Sequence, residues 1–401
     1  MAGQPLITVE AALARITGAL SPVGSEMVSI AQVHGRVLAA AVTSHRTQPP
    51  FAVSAMDGYA VRAGDVANVP AKLSVIGQAP AGGAFTGTVG PGQAVRIFTG
   101  GPVPKGADTI VIQENTQADG NQVTVTQPVA AGRHIRAEGL DFRTGDVMLA
   151  AGRRLGARDV ALAAAMNVPW LSVRRRPRIA LLATGDELVR PGEPIGPHQI
   201  VSSNALGLAA MITACGGEAV DLGIAADNRE ELLSLVQGAR GADMLITLGG
   251  ASVGDHDLVQ SVLGEAGLKV DFWKIAMRPG KPLIFGHMNA TPMLGLPGNP
   301  VSSMVCALLF VRPAIAALLG QVGGGNYTGA AILGSDMPQN DNRQDYVRAS
   351  LSADGVATPF TVQDSAMLSS LAKAGCLIIR PPFAPAAKAG DAVQVLLLEG
   401  D

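Results

Sequence analysis

From Arg178 to Leu319 the chain alternates between short apolar runs of strand character and longer runs of helical character. RIALLAT (178–184), EAVDLGI (218–224), DMLITL (243–248) and LKVDFWKI (268–275) read as strands, as do the shorter PLIFG (282–286) and PMLGL (292–296). Between them, 204–217, 229–239 and 256–267 carry helical periodicity, and a long apolar helix follows Pro300. Neighbouring parallel strands need a crossover of about a dozen residues or more, and helices supply it. The pattern therefore predicts a mostly parallel sheet with helices on both faces.

The flanks read differently. Residues 8–38 have helical spacing (Ala11, Leu13, Ile16, Leu20), but RTQPPFAVSAMDGYAV (46–61) breaks it with paired prolines. Short β runs then follow at 71–77, 93–98, 108–113 and 122–127, separated by Gly, Pro and Asn. GARDVALAAAMNV (156–168) reads as a helix, and 345–351, 376–381 and 392–398 return to strand character. The expected class is α/β and multidomain. Residues 1–50 with 135–176 form an N-terminal helical and linker domain, and 51–134 an inserted β-rich domain. Residues 177–326 form the α/β domain, and 327–401 a C-terminal β-barrel-like module. A length of 401 residues accommodates this at about 100–200 residues per domain.

Composition narrows the function classes. With 48% hydrophobic and 15% charged residues, the chain has material for several cores and does not read as disordered. A net charge of −2 and 3% aromatics argue against nucleic-acid binding. Arg174, Arg175, Arg176 and Arg178 are the exception, and they read as a solvated linker. Cys215, Cys306 and Cys376 are far apart in sequence, so a reducing, cytoplasmic setting is expected, without disulfides or structural zinc. The first fifteen residues lack the pattern of a signal peptide. Arg312 and Pro313 interrupt the apolar stretch 301–319, which reads as a buried helix and not a membrane span.

Ligands of open α/β sheets sit at the carboxyl ends of the strands. There the chain places Thr184-Gly185-Asp186-Glu187, Asp227-Asn228, the loop from Gly249 to Asp257, and Pro297-Gly298-Asn299-Pro300-Val301-Ser302-Ser303. Gly249, Gly250, Ser252 and Gly254 allow close backbone approach to phosphate. Asn299 as N-cap, Pro300 at the first helical position, Gly298, and the Ser302 and Ser303 hydroxyls suit an anion at a helix start. Glu187, Asp227, Asp255 and Asp257 would repel phosphate unless a divalent cation lies between, and oxygen ligands with phosphate suit Mg²⁺. Asp186 and the Asp227-Asn228 pair also have the chemistry of turns and caps, so part of the acids is expected to be structural. Lys274, Arg278 and Lys281, in a segment stiffened by Pro279, Gly280 and Pro282, suggest a second anion pocket. No Ser-His-Asp or Cys-His spacing points to a covalent nucleophile.

Six segments in order carry a resemblance: AMDGYAV (55–61), IFTGGPVPKGADTIV (97–111), LLATGDELV (181–189), TLGGASVGDHD (247–257), RPGKPLIFG (278–286) and LPGNPVSS (296–303). Together they resemble the molybdopterin molybdenumtransferase family, which includes the bacterial MoeA-type enzymes and the E domain of gephyrin. The resemblance implies a homodimer of four-domain subunits with a molybdopterin-binding α/β domain. It implies that adenylylated molybdopterin and molybdate are substrates, that AMP is released, that molybdenum is placed on the dithiolene, and that Mg²⁺ assists. By motif it implies catalytic roles for Asp57, Thr99, Asp141, Glu187, Asp227 and Asp257, with Glu187, Asp227 and Asp257 at the metal. Lys274, Arg278, Lys281, Arg348, Ser365 and Ser369 would bind substrate. In the dimer, the Asp57 and Thr99 segments of one subunit would face the α/β domain of the other. A molybdopterin adenylyltransferase upstream and molybdoenzymes downstream are the implied protein partners.

Leu248, His256 and Arg278 depart from the residues common in the family. Arg278 keeps the cationic charge, so on this reading Arg278→Lys would be mild. Leu248 removes a hydroxyl near the pterin phosphate. Two other functions fit parts of the chain: a molybdopterin adenylyltransferase, which needs only the α/β domain, and a molybdopterin-binding scaffold without catalysis.

Overall fold

The computed structural model describes residues 6–249 and 258–398. At its centre is a six-stranded sheet built from β1 (Arg178–Thr184), β2 (Glu218–Ala225), β3 (Met244–Leu248), β4 (Leu268–Trp273), β5 (Ile284–Met288) and β6 (Thr291–Leu296), in the order β2-β1-β3-β6-β5-β4. The first four of that order run parallel, and β5 and β4 complete it as antiparallel strands. The crossovers are α1 (Asn204–Ala214), α2 (Arg229–Gln237) and α3 (Leu258–Glu265), and α4 (Pro300–Leu318) follows β6.

Alternation along β1 explains the two layers. Ile179, Leu181 and Ala183 face a core shared with α1 and α4. Ala180 and Leu182 face the core of α2 and α3. The register fixes the far edge. Thr184 lies opposite Ala225, Ala183 opposite Leu248, and Leu248 opposite Leu296, so the four parallel strands stop together. The expected rim of four strand ends is thus present.

The apolar helix α4 is long enough to cross a membrane by length and composition, but 89% of it is buried inside the protein, as a core helix would be. It passes through a π-helical turn at Ala307–Val311 just before Pro313. Pro313 has no N–H for the Leu309 carbonyl, and Asn326 Nδ2 approaches that oxygen at 3.5 Å instead.

The N-terminal region differs from its helical expectation. The helix covers only Val9–Gly18, capped by Thr8, whose Oγ1 accepts the Ala11 N–H at 3.1 Å. Pro22 and Gly24 then prevent its continuation, and Ser25–Ser29 pairs antiparallel with Trp170–Arg174. Val9, Ala12 and Ile16 share a core with Ile275 and Leu318, so this helix packs on the α/β domain. What remains around helix Ala157–Ala165 is a set of two-stranded ribbons over a core of Val33, Leu38, Phe142, Leu155 and Leu171. Residues 58–125 supply a separate six-stranded sheet. The C-terminal strands close on themselves, with Gln344–Leu351 pairing both Val356–Pro359 and Cys376–Arg380.

The arginine cluster is not merely solvated. Arg175 donates to both oxygens of Asp243 at 2.7 Å, and the Arg178 N–H reaches Asp243 at 2.8 Å. Arg174 Nη1 donates to the Val23 carbonyl at 2.9 Å. The segment clamps the ribbon module to the start of the sheet.

Burial alone would raise the Asp243 carboxyl, but the Arg175 fork and the Arg178 N–H outweigh it and hold the group below its usual range. A depressed folded pKa gives stability that is present above the unfolded value of about 3.9 and lost as pH falls through the folded value. Asp243→Asn should therefore cost about 1–2 kcal/mol at neutral pH, reduced by the solvent exposure of Arg175. Thermal unfolding of both proteins from neutral to acid pH should show the gap in midpoint closing below about pH 4. A gap that stays constant to acid pH would contradict the clamp.

Candidate functional site

The turn after β1 shows how the rim is built. Gly185 has φ +142°, and a Cβ there would fall 2.5 Å from Glu187 Oε2, so the Glu187 carboxylate folds back over the glycine. Asp186 Oδ1 accepts the Asp227 N–H at 2.8 Å and ties this turn to the one after β2. Asn228 caps α2 by accepting the Glu231 N–H at 2.9 Å. Asp186 and Asn228 therefore do the turn and capping work. The Glu187 and Asp227 side chains are left exposed on adjoining turns.

Gly249 follows β3 at φ +93°, where a Cβ would lie 2.8 Å from the Thr184 carbonyl. Only a glycine lets this loop pass over the end of β1. A Cβ on Gly298 would in turn meet Gly249 Cα at 3.8 Å, so the loops after β3 and β6 touch. Gly250, Ser252, Gly254, Asp255, His256 and Asp257 lie outside the described residues. Among the described residues no three His, Cys, Asp or Glu side chains form a metal-binding group.

The start of α4 differs from the expected open anion site. Asn299 makes no side-chain cap, and its Nδ2 donates to Ser365 Oγ at 3.1 Å. The Val301 N–H donates to the Ser365 carbonyl at 3.1 Å. Ser302 keeps 5% of its surface and Ser303 none, so neither hydroxyl lines an open pocket. Pro297 is buried, and the Gly298 carbonyl accepts Asn204 Nδ2 at 2.7 Å. This helix start is docked against the C-terminal module.

Two of the expected anion binders are committed to protein partners. Arg278 Nε and Nη2 reach the two oxygens of the buried Asp345 at 3.0 and 2.6 Å, with Asp341 at 3.8 Å from Nη1. Arg348 is buried. Its Nε donates to Gln363 Oε1 at 3.2 Å, and its Nη1 donates to the Met367 carbonyl at 3.1 Å and to Ser370 Oγ. Burial pulls its guanidinium below the ordinary value, against the opposing charge of Asp364. In this structure both arginines hold loops in place: Arg278 the basic loop, and Arg348 the segment carrying Ser365 and the exposed Ser369. Lys274 and Lys281 sit on that basic loop, where the Lys274 N–H reaches Leu283 and the Lys281 carbonyl accepts the Ile275 N–H at 3.0 Å.

The inserted sheet brings Asp57 and Thr99 together. Asp57 Oδ1 accepts the Thr99 N–H at 2.7 Å and the Thr99 hydroxyl at 2.8 Å. Those bonds, the backbone one first, hold the Asp57 carboxyl below its usual range, with help from Arg96. Gly58 is required beside it, because a Cβ would overlap the Val111 carbonyl. Asp141 is exposed, and its N–H bonds the Gln48 carbonyl at 3.0 Å, at the entry to this sheet. No hydrogen bond or ion pair between described residues joins Asp57 or Thr99 to the rim.

Sequence reasoning missed Asn204 and Gln363. Asn204 read only as a helix start. The Gln363 side-chain amide brackets the Arg348 backbone, accepting its N–H at 3.1 Å and donating to its carbonyl at 2.9 Å. No local pattern announces such a pairing fifteen residues away.

Three stretches match known families: residues 7–167 the MoeA N-terminal region (domains I and II), 180–317 a probable molybdopterin-binding domain, and 330–398 the MoeA C-terminal region (domain IV). The chain is 39% identical over 336 residues to a molybdopterin molybdenumtransferase of Nostoc sp., covering 82% of this chain and 77% of that one. It is 34% identical to the Bacillus subtilis protein of the same name, covering 98% and 94%. The fold superposes on the molybdopterin biosynthesis MoeA protein of Pyrococcus horikoshii OT3 with a TM-score of 0.87 at 27% identity, covering 98% of this chain and all of that one.

The Arg278 fork adds a structural demand to the charge that a lysine would keep. A lysine cannot reproduce a two-pronged contact, and buried Asp345 would lose a partner. Arg278→Lys should lower unfolding free energy by about 1–3 kcal/mol. Urea titration checks this, and an unchanged midpoint would show that the fork contributes nothing.

Proposed function

The chain belongs to the molybdopterin molybdenumtransferase family, and from that premise we propose that its rim takes adenylylated molybdopterin and molybdate, releases AMP and leaves molybdenum on the pterin dithiolene. The observation that carries the reading is the gathering of four strand-end turns on one edge, with the Glu187 and Asp227 side chains exposed on adjoining turns.

Glu187 and Asp227, on turns tied by the Asp186 bond, would supply hard oxygen donors of the kind Mg²⁺ takes, since it keeps several waters and is bound by one or two carboxylates plus substrate phosphates. Glu187 and Asp227, with Asp257, would hold it. Held there, Mg²⁺ would supply charge neutralisation at the phosphoanhydride. The residues of the chain do the positioning. The backbone at Gly249 and Gly298 permits close approach of the pterin phosphate. Lys274 and Lys281 supply cationic charge for molybdate. Arg278 and Arg348 act on substrate through the loops they hold.

Asp57 and Thr99 complete the site from the partner subunit of a homodimer. This accounts for an ionised carboxylate fixed by two donors in a module that, among the described residues, has no hydrogen bond or ion pair from Asp57 or Thr99 to its own rim. The free thiols suit a cytoplasmic enzyme that receives substrate from a molybdopterin adenylyltransferase and serves molybdoenzymes.

A magnesium titration of AMP release tests the metal role. Glu187→Gln and Asp227→Asn should each lose about ten- to a hundredfold in rate, the scale of one charge-assisted contact, and should need more magnesium. Pterin binding should change less. A wild-type magnesium response combined with weakened pterin binding would make these acids pterin ligands.

A further inference from the structure

We propose that Trp273 is a positioning residue for oxyanion capture, its indole face holding the Lys274 ammonium where molybdate is taken up. The inference rests on the reading above that Lys274 serves molybdate, and it names the group that orients the lysine.

Successive side chains of a strand point to opposite faces, so a Trp-Lys pair at a strand end should diverge. Here they do not. Lys274 adopts φ +79°, a left-handed conformation uncommon for a residue with a side chain, immediately after β4 ends at Trp273. That reversal brings Lys274 Nζ to 4.2 Å from the centroid of the Trp273 ring, well within cation–π range.

The backbone is pinned on both sides of the reversal. The Lys274 N–H donates to the Leu283 carbonyl at 3.2 Å, and its own carbonyl accepts the Ile7 N–H at 3.4 Å. The Ile275 N–H then bonds Lys281, closing the basic loop. Among the described residues no carboxylate forms an ion pair with Lys274, whereas Arg278 on the same loop is paired with Asp345. An ammonium held by an aromatic face keeps its charge available to an anion. One held by a carboxylate is neutralised. The indole Nε1 is buried and has no hydrogen-bond partner among the described residues, so packing and not a hydrogen bond sets the ring's position.

The ring should therefore matter for molybdate affinity more than for turnover. Losing the face frees a long flexible stem, which must then be ordered when the anion binds. With molybdate varied at saturating adenylylated pterin, Trp273→Leu should raise the molybdate KM about two- to fivefold, with kcat and the pterin KM unchanged. Trp273→Phe keeps an aromatic face and should stay within about twofold of wild type.

Fluorescence supplies a readout independent of activity. The chain has two tryptophans, and Trp170 is exposed on the N-terminal ribbon. In a Trp170→Phe background the emission of Trp273 should change saturably with sodium molybdate, and Lys274→Met should abolish the response. The proposal is overturned if Trp273→Leu keeps the wild-type molybdate KM, or if Trp273→Phe is as impaired as Trp273→Leu, which would mark a packing role only. Should the leucine variant not fold, an emission unresponsive to molybdate in the Trp170→Phe protein overturns it equally. A wild-type molybdate KM in Lys274→Met would instead remove the reading of the lysine itself, and this inference with it.

Discussion

The site depends on one constraint, the in-register parallel pairing of β1 with β2 and β3, and of β3 with β6. Because Thr184, Ala225, Leu248 and Leu296 end at one level, four unrelated turns are delivered to one edge. The apolar faces of β1 maintain that register from both sides. A slip of one residue would exchange Leu181 with Leu182 between two different cores. Glycines at 185 and 249 then allow the turns to cross without collision.

Charge is scarce in this chain, and most of it at the module boundaries is spent on architecture. Arg175 with Asp243 joins the ribbon module to the sheet, and Arg278 with Asp345 joins the basic loop to the C-terminal barrel. Arg348 and Gln363 set the segment whose Ser365 covers the start of α4. Against that background, Glu187 and Asp227 stand out as exposed acids on the rim, and Lys274 as a cation held by an aromatic ring. The proposed separation of positioning residues from those that meet substrate follows this division between paired and uncommitted charge.

Much of this was legible in the sequence, because hydrophobic periodicity records local structure. Among the described residues the strands and helices from 178 to 318 follow their pattern closely. Helical spacing continues past Pro22 by chance, whereas the helix ends at Gly18 and Ser25–Ser29 finds its partner some 145 residues away. Arg278 reads as part of an anion pocket because Asp345, which engages it, lies in a distant segment. Asn299 looked like a cap, and tertiary packing turned its amide to Ser365 instead. Long-range polar pairing leaves no periodic trace.

In the proposed site, Asp57 and Thr99 of one subunit face the rim of the other. Mixing two impaired variants tests this most directly. Asp57→Ala and Glu187→Gln variants, allowed to exchange subunits, would form mixed dimers in which one site carries both lesions and the other carries none. AMP release and molybdenum transfer should then recover to about a quarter of the wild-type rate, the share expected for random pairing of two subunit types. A mixture no more active than its components, with subunit exchange demonstrated, would place Asp57 and Glu187 in a site made by a single chain and contradict the account.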